Sequence, residues 1–319
     1  MKKLNWGIIG AGRIAHQFAA DMVTVANSQL YAVAARDETR AQAFAEQHQA
    51  DVAYGDYQQL FNDDNVDAVY IATPHNLHFE QAKAAMLAGK SVLCEKPITV
   101  SQQESEALFQ IAKEQQVYLI EGMWTYFLPA IKQALQWVEE GKIGKLLHVK
   151  ADFGYPQVYS PDAREFDADL AGGCVFEMGI YPIAIAQLFS SLTPDSIYAT
   201  ASFAPNGVED DVSFIINYPD MTATLGTSFK CKLQNWAYII GDKGYIAIPD
   251  FWRASQCYLY ELDTQVASFN DQRTTIGFDY EINAVSDDIL SGRLTSDIVT
   301  PNSSNTFQQL INQVKSYIK

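Results

Sequence analysis

A glycine-containing turn near the start of the chain has the residue types and spacing that bind a pyrophosphate. The run from 7 to 15, G-I-I-G-A-G-R-I-A, carries the pattern G-x-G-x-x-A directly after an apolar, strand-like segment. Gly10 permits the tight turn, and Gly12 lets the backbone approach the anion at the N-terminus of the next helix. The sequence therefore predicts a dinucleotide site. The residues predicted to line it here are Gly10, Gly12, Arg13 and Ile14.

The residue that follows the second predicted strand bears on which dinucleotide binds. Sites that prefer NAD usually place an acidic residue there, on the ribose hydroxyls. This chain has Arg36 instead, and an arginine can pair with a 2′-phosphate and stack on adenine. The sequence therefore favours NADP. If Asp37 faces the ribose instead, NAD would bind acceptably, and this alternative stays open.

A lysine follows another apolar strand, in the sequence S-V-L-C-E-K-P from 91 to 97. At the carboxyl end of a parallel strand, Lys96 would lie in the crevice where open α/β sheets bind ligands. Its ammonium group can hold a substrate hydroxyl and favour the ionised form of a neighbouring phenol. We therefore predict that Lys96 is catalytic and contacts cofactor and substrate, with Glu95 orienting it. The simpler alternative is a surface lysine at a strand end.

The elements that must position these residues alternate between short apolar runs and helical periods over residues 1–122. Such alternation predicts parallel strands joined by crossover helices, the doubly wound Rossmann sheet of an α/β protein. The predicted strands are 4–9, 29–35, 68–71, 91–94 and 117–121, and the predicted helices are 16–25, 39–48, 77–88 and 102–115.

The pattern changes in residues 123–319, where β-type runs are joined by short turns. Consecutive hairpins predict an α+β domain with a large open antiparallel sheet, which binds substrate and covers its open face by forming a homodimer or tetramer. The predicted strands are 146–153, 197–203, 212–218, 222–229, 236–240, 245–248 and 256–261, with helices at 129–140, 174–189, 280–291 and 306–318.

Composition narrows the class of protein. A chain of 319 residues with 48% hydrophobic and 19% charged residues is typical of a globular protein of two domains. A net charge of −16 argues against nucleic acid and anionic membranes as partners. Four cysteines without C-x-x-C spacing predict buried thiols in a reducing cytoplasm rather than disulfides or a metal site, and the start of the chain shows no signal peptide.

Several fragments in one order resemble the Gfo/Idh/MocA family of glucose–fructose oxidoreductase and inositol dehydrogenase. Within the family the pattern is most similar to the dimeric dihydrodiol dehydrogenases, also described as D-xylose:NADP dehydrogenases. The fragments are V-A-A-R-D at 33–37, A-T-P-H-N-L-H at 72–78, L-C-E-K-P at 93–97, M-W-T at 123–125 and M-G-I-Y at 178–181.

The resemblance implies roles for further residues. Tyr181 would exchange the proton with the substrate oxygen, and because a free tyrosine has a pKa of about 10, the Lys96 ammonium and the oxidised nicotinamide would have to lower it. Pro97 would follow a cis peptide bond. The family pattern places Thr73 and Pro74 at the cofactor, and we assign His75, Glu95, Pro97 and Trp124 to the same pocket. Glu177 stands where the family's carboxylate binds a sugar hydroxyl. We expect Trp124, Phe153 and Phe278 to be aromatic wall residues at the substrate, and a core tryptophan is the alternative for Trp124.

The resemblance implies an NAD(P)-dependent oxidoreductase that moves a hydride between nicotinamide and a secondary alcohol or hemiacetal carbon of a sugar, polyol or cyclic trans-diol. Glu177 stands where family members commonly have Asp, and Tyr126 where the nearest ones have arginine, so substrate preference can differ. Two alternatives stay open. One is an NAD-linked inositol or deoxysugar dehydrogenase, and the other is a non-catalytic NADP-sensing regulator.

Overall fold

The structure, a computed structural model, describes residues 3–190 and 192–318 and forms two compact units. In chain order its elements are β1 (Leu4–Ile9), α1 (Arg13–Met22), β2 (Ser28–Ala34), α2 (Glu38–His48), β3 (Val52–Tyr54), α3 (Tyr57–Phe61), β4 (Ala68–Ile71), α4 (His78–Leu87), β5 (Ser91–Glu95), α5 (Gln102–Gln115), β6 (Leu119–Gly122), α6 (Pro129–Glu139), β7 (Leu146–Gly154), α7 (Ile180–Phe189), β8 (Ser196–Phe203), β9 (Glu209–Asn217), β10 (Thr222–Ser228), β11 (Trp236–Gly241), β12 (Tyr245–Pro249), β13 (Gln256–Glu261), β14 (Thr264–Asn270), α8 (Phe278–Leu290) and α9 (Pro301–Tyr317).

The first unit is built on a six-stranded sheet in the order β3-β2-β1-β4-β5-β6, with all neighbours parallel. This confirms the predicted doubly wound Rossmann sheet. The central strands β1 and β4 are mostly apolar and buried, as expected where helices cover both faces of a sheet. Strand β3 and helix α3 were not predicted, since runs of three and five residues are too short to show a clear period.

The two units divide the chain differently from the predicted domains. The first comprises the chain up to Trp124 together with Arg273–Asn305, and the second comprises Thr125–Gln272 and the chain from Thr306 onward. A boundary in the region of 122–125 is common to both divisions. The difference lies in 273–305, which the sequence prediction assigns to the C-terminal domain.

Buried polar contacts explain why segment 273–305 packs with the first unit. Asp21, at the end of α1, accepts hydrogen bonds from the backbone N–H groups of Gly277 and Phe278, each at 2.9 Å. Its carboxylate therefore lies at the N-terminus of α8, where negative charge is favoured. Trp6 Nε1 also donates to Ser286 Oγ at 3.1 Å. A period-based reading of sequence cannot foresee such long-range bonds.

The second unit is built on an eight-stranded sheet in the order β14-β13-β12-β11-β7-β10-β9-β8. Its neighbours are antiparallel except for β7 and β10, which run parallel, so the sheet is mostly antiparallel. Helix α7 packs against β7 and β10 and buries most of its residues. Edge strand β14 was not predicted, because most of its residues are exposed and few are apolar.

One helical stretch, Ala168–Phe189, is long and apolar enough to cross a membrane by length and composition, with a mean hydropathy of 1.3. Within the protein, however, 78% of it is buried, which is typical of a core helix.

The prediction that all four cysteines are buried is wrong for Cys231. Its side chain is exposed, whereas Cys94, Cys174 and Cys257 are buried.

Candidate functional site

The glycine turn of the first unit leaves an uncovered space at the N-terminus of α1. Gly10 has a φ of +91°, and a Cβ there would lie 2.6 Å from the carbonyl oxygen of Ala72, so only glycine fits the turn. A Cβ on Gly12 would meet nothing within 4 Å, and no side chain caps the helix that begins at Arg13. Uncapped N–H groups facing open space are the arrangement that a pyrophosphate requires.

Two arginines lie near this turn, at the carboxyl end of β2. Arg36 follows the strand and is exposed, and Arg40 Nη2 donates to the carbonyl oxygen of Ala11 at 3.1 Å. Burial raises the pKa of Tyr57, while the guanidinium groups of Arg36 and Arg40 act on it in the opposite direction. Both guanidinium groups therefore act electrostatically on Tyr57. The sequence prediction missed Arg40, whose position one turn into α2 is the signal that could have found it.

Asp37 serves as the N-cap of α2. Its Oδ1 accepts from the backbone N–H of Thr39 at 2.9 Å and of Arg40 at 3.4 Å. That role is typical of an aspartate immediately before a helix. It occupies one carboxylate oxygen of the residue that the sequence analysis left as the alternative reader of the ribose.

The segment after β4 is held to the segment after β5 by His78. One ring nitrogen, Nε2, lies 2.9 Å from the carbonyl oxygen of Thr73, and the other, Nδ1, lies 2.8 Å from that of Pro97. The Lys96–Pro97 peptide bond is cis, as the resemblance implies. His75 begins a 3₁₀ turn and is buried. The structure thus joins the segments that contain the predicted cofactor residues Thr73, Pro74 and Pro97.

The predicted catalytic lysine follows a buried carboxylate. Tyr70, on β4, donates its hydroxyl to Glu95 Oε1, and the backbone N–H of Lys96 donates to Glu95 Oε2 at 3.2 Å. Burial raises the pKa of Glu95, whereas the positive charge of Lys96 and the Tyr70 hydrogen bond lower it. The arrangement therefore links Lys96 to a carboxyl group that is supported from the neighbouring strand.

Two further carboxyl groups lie in this region of the first unit and were not predicted. Glu121, on β6, is fully buried, and its Oε1 accepts from the backbone N–H of Ile98 at 2.9 Å. Burial raises its pKa to about 7. Glu281, on α8, is also fully buried, and its pKa is raised by burial and by the charges of Glu95 and Glu121. Glu281 reaches this region only because α8 packs in the first unit.

The wall residues Trp124 and Phe278 are brought together in the first unit. Their rings stack with centroids 4.4 Å apart and an interplanar angle of 12°. Both side chains are buried, at 6% and 2% exposure. Aromatic rings stacked in this way are typical of well-packed apolar regions.

The second unit contains the other group of predicted residues. Tyr181, near the start of α7, meets the ring of Phe153 edge to face, with centroids 5.4 Å apart. Phe153 also stacks on Trp252, with centroids 4.2 Å apart. The sequence prediction missed Trp252, which stands in a short segment without a period. The phenol of Tyr181 therefore lies next to the aromatic pair formed by Phe153 and Trp252 in the second unit.

Glu177 lies four residues before Tyr181, in a π-helical turn formed by Val175–Gly179. It forms an ion pair with Arg164, whose side chain is 32% exposed. π-helical turns inside helices occur frequently at functional sites. Glu177 therefore has an arginine as its ionic partner, about one helical turn before the predicted acid–base tyrosine in the chain.

Two family profiles match this chain. The profile of an oxidoreductase family with an NAD-binding Rossmann fold, GFO/IDH/MocA, matches residues 4–123, and that of the GFO/IDH/MocA C-terminal domain matches residues 131–247. Trans-1,2-dihydrobenzene-1,2-diol dehydrogenase of Mus musculus is 35% identical over 257 residues, covering 79% of this chain and 77% of the mouse protein.

Solved structures share the fold over nearly the whole chain. Aldose-aldose oxidoreductase from Caulobacter crescentus, complexed with glycerol, has a TM-score of 0.91 at 22% identity, covering 99% of this chain and 97% of that chain. KijD10, a 3-ketoreductase from Actinomadura kijaniata in complex with NADP and TDP-benzene, has a TM-score of 0.89 at 26% identity, covering 100% and 98%.

The buried carboxyl of Glu121 predicts a specific pH dependence of stability. Its pKa is 4.5 when unfolded and about 7 when folded, so the native state binds this proton more tightly. The associated stability is present below about pH 4.5 and is lost as the pH rises to about 7. Glu121→Gln, which can still accept from Ile98, should therefore gain stability relative to the wild type over this range, by about 3 kcal/mol.

Urea unfolding at several pH values measures this difference, with the exposed Glu80→Gln as the matched control. Parallel curves for the Glu121 variant and the wild type would contradict the prediction.

Proposed function

The chain belongs to the GFO/IDH/MocA oxidoreductase family and is a dehydrogenase or reductase, and from that premise we propose its substrate class, cofactor preference and catalytic residues. The reaction moves a hydride between nicotinamide and a secondary alcohol or hemiacetal carbon of a sugar, polyol or cyclic trans-diol. The observation that carries the proposal is the uncovered glycine turn in the same unit as the supported Lys96. The similar diol dehydrogenase and sugar-modifying enzymes support the substrate class.

The bound dinucleotide supplies the carbon that accepts or donates the hydride. This chain's residues handle the proton and the substrate oxygen: Tyr181 takes or gives the proton, and Lys96 holds the oxygen and favours the ionised form of the tyrosine. The supporting observations are the aromatic contact of Tyr181 and the carboxylate next to Lys96.

The cofactor preference that we propose is NADP over NAD. Arg36, just after β2, and Arg40, in the first turn of α2, both act electrostatically on Tyr57, and we propose that these two guanidinium groups bind a 2′-phosphate. Asp37 already caps α2 through Oδ1. These contacts favour an anion rather than a neutral ribose at this position.

The substrate residues that we propose include two aromatic pairs, one in each unit. Trp124 stacks on Phe278, and Phe153 stacks on Trp252. Flat aromatic surfaces suit the apolar face of a sugar ring or a cyclic diol. Glu177, held by Arg164, would accept a hydrogen bond from a substrate hydroxyl.

We also propose that the protein is a cytoplasmic homodimer or tetramer that associates through the outer face of the eight-stranded sheet. A row of residues in register lies on that face: Tyr198, Ile215, Thr224, Lys150 and Tyr238. Tyr198 is 62% exposed and Ile215 39% exposed. Exposed apolar side chains on a wide sheet are typical of an interface between copies of a chain.

Loss of the proposed catalytic groups should abolish most turnover. Lys96→Ala and Tyr181→Phe should each lower kcat by about 10²- to 10⁴-fold, because positioned acid–base catalysis contributes that much. The measurement is nicotinamide absorbance during a screen of aldoses, polyols and trans-dihydrodiols with both cofactors.

The matched controls are Tyr218→Phe, which removes another buried phenol of the second unit, and the partly exposed Lys83→Ala. Cofactor binding followed by fluorescence checks that the variants are folded. Wild-type turnover in either catalytic variant would overturn the assignment. NADP binding with no turnover of any tested compound would instead support the regulator alternative.

The arginine pair gives a separate prediction about cofactor choice. Arg36→Ala and Arg40→Ala should each raise the KM for NADP by about 10- to 100-fold, since each loses a charged hydrogen bond to phosphate. The KM for NAD should change little. Steady-state kinetics with both cofactors measures the ratio, and Asp37→Asn, which keeps an N-cap, is the control. Equal effects on NAD and NADP would contradict the preference.

The proposed interface predicts that charge on the sheet face separates the subunits. Ile215→Asp places like charges opposite each other across a symmetric contact, so the variant should be monomeric. Light scattering at micromolar concentration measures the mass, and Val23→Asp, at an 81% exposed position of the first unit, is the control. A monomeric wild type would refute the interface.

A further inference from the structure

The buried hydroxyl of Tyr70 is not used by the proposed reaction. Tyr70 lies within β4, its side chain has no exposed surface, and its ring stacks on Phe18 with centroids 3.7 Å apart. Its hydroxyl donates to Glu95 Oε1, from the strand next to β5. A phenylalanine would fill the same space in this apolar layer, so packing alone does not require the hydroxyl.

The carboxyl group that Tyr70 contacts is the one that meets Lys96. Glu95 Oε2 accepts from the backbone N–H of Lys96, and the lysine charge lowers the pKa of Glu95. Two interactions thus favour the ionised carboxylate, one from β4 and one from the residue that follows β5.

Burial opposes this ionisation and raises the pKa of Glu95. The charge of Glu95 in turn raises the pKa of its acidic neighbours Glu121 and Glu281. Five titratable groups interact with Glu95 among the described residues. They are Tyr70 on β4, Cys94 on β5, Lys96 directly after β5, Glu121 on β6 and Glu281 on α8.

We propose that Tyr70 is a positioning residue whose hydroxyl keeps the Glu95 carboxylate ionised and oriented, so that Glu95 in turn keeps Lys96 protonated. The hydrogen bond matters because a buried carboxylate that loses a donor takes up a proton instead. The expected effect on the reaction rests on the proposed catalytic role of Lys96. The hydrogen bond between Tyr70 and Glu95 is independent of that role.

The first test is the pH profile of kcat for Tyr70→Phe. With Glu95 more protonated, Lys96 loses a nearby opposite charge, and the alkaline limb of the profile should move to lower pH by about one unit. The KM for NADP should stay within about twofold, because Tyr70 is not placed at the cofactor. A profile that coincides with the wild type would overturn the proposal.

The matched control is Tyr118→Phe. Tyr118 is also buried in the first unit, and its hydroxyl donates to a carboxylate, Asp288 Oδ2, at 2.9 Å. The substitution Tyr118→Phe removes the same kind of hydrogen bond, from a buried phenol to a carboxylate, at a carboxylate other than Glu95. Its profile should keep the wild-type limb, and an equal shift in Tyr118→Phe would mean that the effect is general to such bonds and would refute the proposal.

A double-mutant cycle tests whether Tyr70 acts through Glu95. Glu95→Gln should shift the alkaline limb at least as far as Tyr70→Phe, and adding Tyr70→Phe to Glu95→Gln should produce no further shift. A full additional shift in the double variant would show that Tyr70 acts by another route, which overturns the proposal.

A measurement without turnover separates this proposal from the proposed function. The stability cost of Tyr70→Phe should grow as the pH rises through the folded-state pKa of Glu95, which burial raises above its ordinary value, because the lost bond favours the charged form. The cost should be independent of pH in the Glu95→Gln background. A cost independent of pH would overturn the Tyr70–Glu95 contact. Wild-type turnover in Lys96→Ala would instead refute the proposed function while leaving this stability result intact.

Discussion

The parallel strands of the first sheet all have their carboxyl ends at the same edge of the sheet. The positions of the residues proposed to bind the dinucleotide depend on this constraint. The glycine turn, Arg36, Thr73 and Lys96 follow four different strands, yet the sheet places their strands side by side. Short contacts then fix the loops that follow. His78 contacts the carbonyl oxygens of Thr73 and Pro97, which holds two of these loops at a set distance.

Charge is the main difficulty at this edge. A buried carboxyl group resists ionisation, and the first unit brings Glu95, Glu121 and Glu281 into mutual electrostatic contact. Glu95 has the support of a phenol and a lysine, whereas Glu121 accepts one backbone N–H group. Burial therefore raises the pKa of all three carboxyl groups, and at Glu95 the phenol and the lysine act against that rise. In the second unit Glu177 has an arginine as its counter-charge.

Local pattern was sufficient for much of this architecture. The Rossmann elements could be predicted because their strands are continuous apolar runs and because the glycine turn has a fixed backbone requirement at Gly10. The predicted residues Trp124 and Phe278 do stack, although they are far apart in sequence. Glu281 and Trp252 were missed, since their relevance comes from partners that only the folded chain supplies. No local period shows that Asp21 holds the start of α8.

The hydrogen bonds from the start of α8 to Asp21 join segment 273–305 to the first unit, so that unit is made of two separate stretches of the chain. This discontinuity has a consequence for its folding during synthesis. The ribosome delivers the six strands of the first sheet before residue 125, but helix α8 is made only after the sheet of the second unit. Until then Trp6, Asp21 and Tyr118 lack the partners that α8 provides. The first unit therefore cannot complete its packing until α8 has been synthesised, and contacts between residues so distant in sequence form slowly. A fragment that ends at Trp124 would omit that layer altogether.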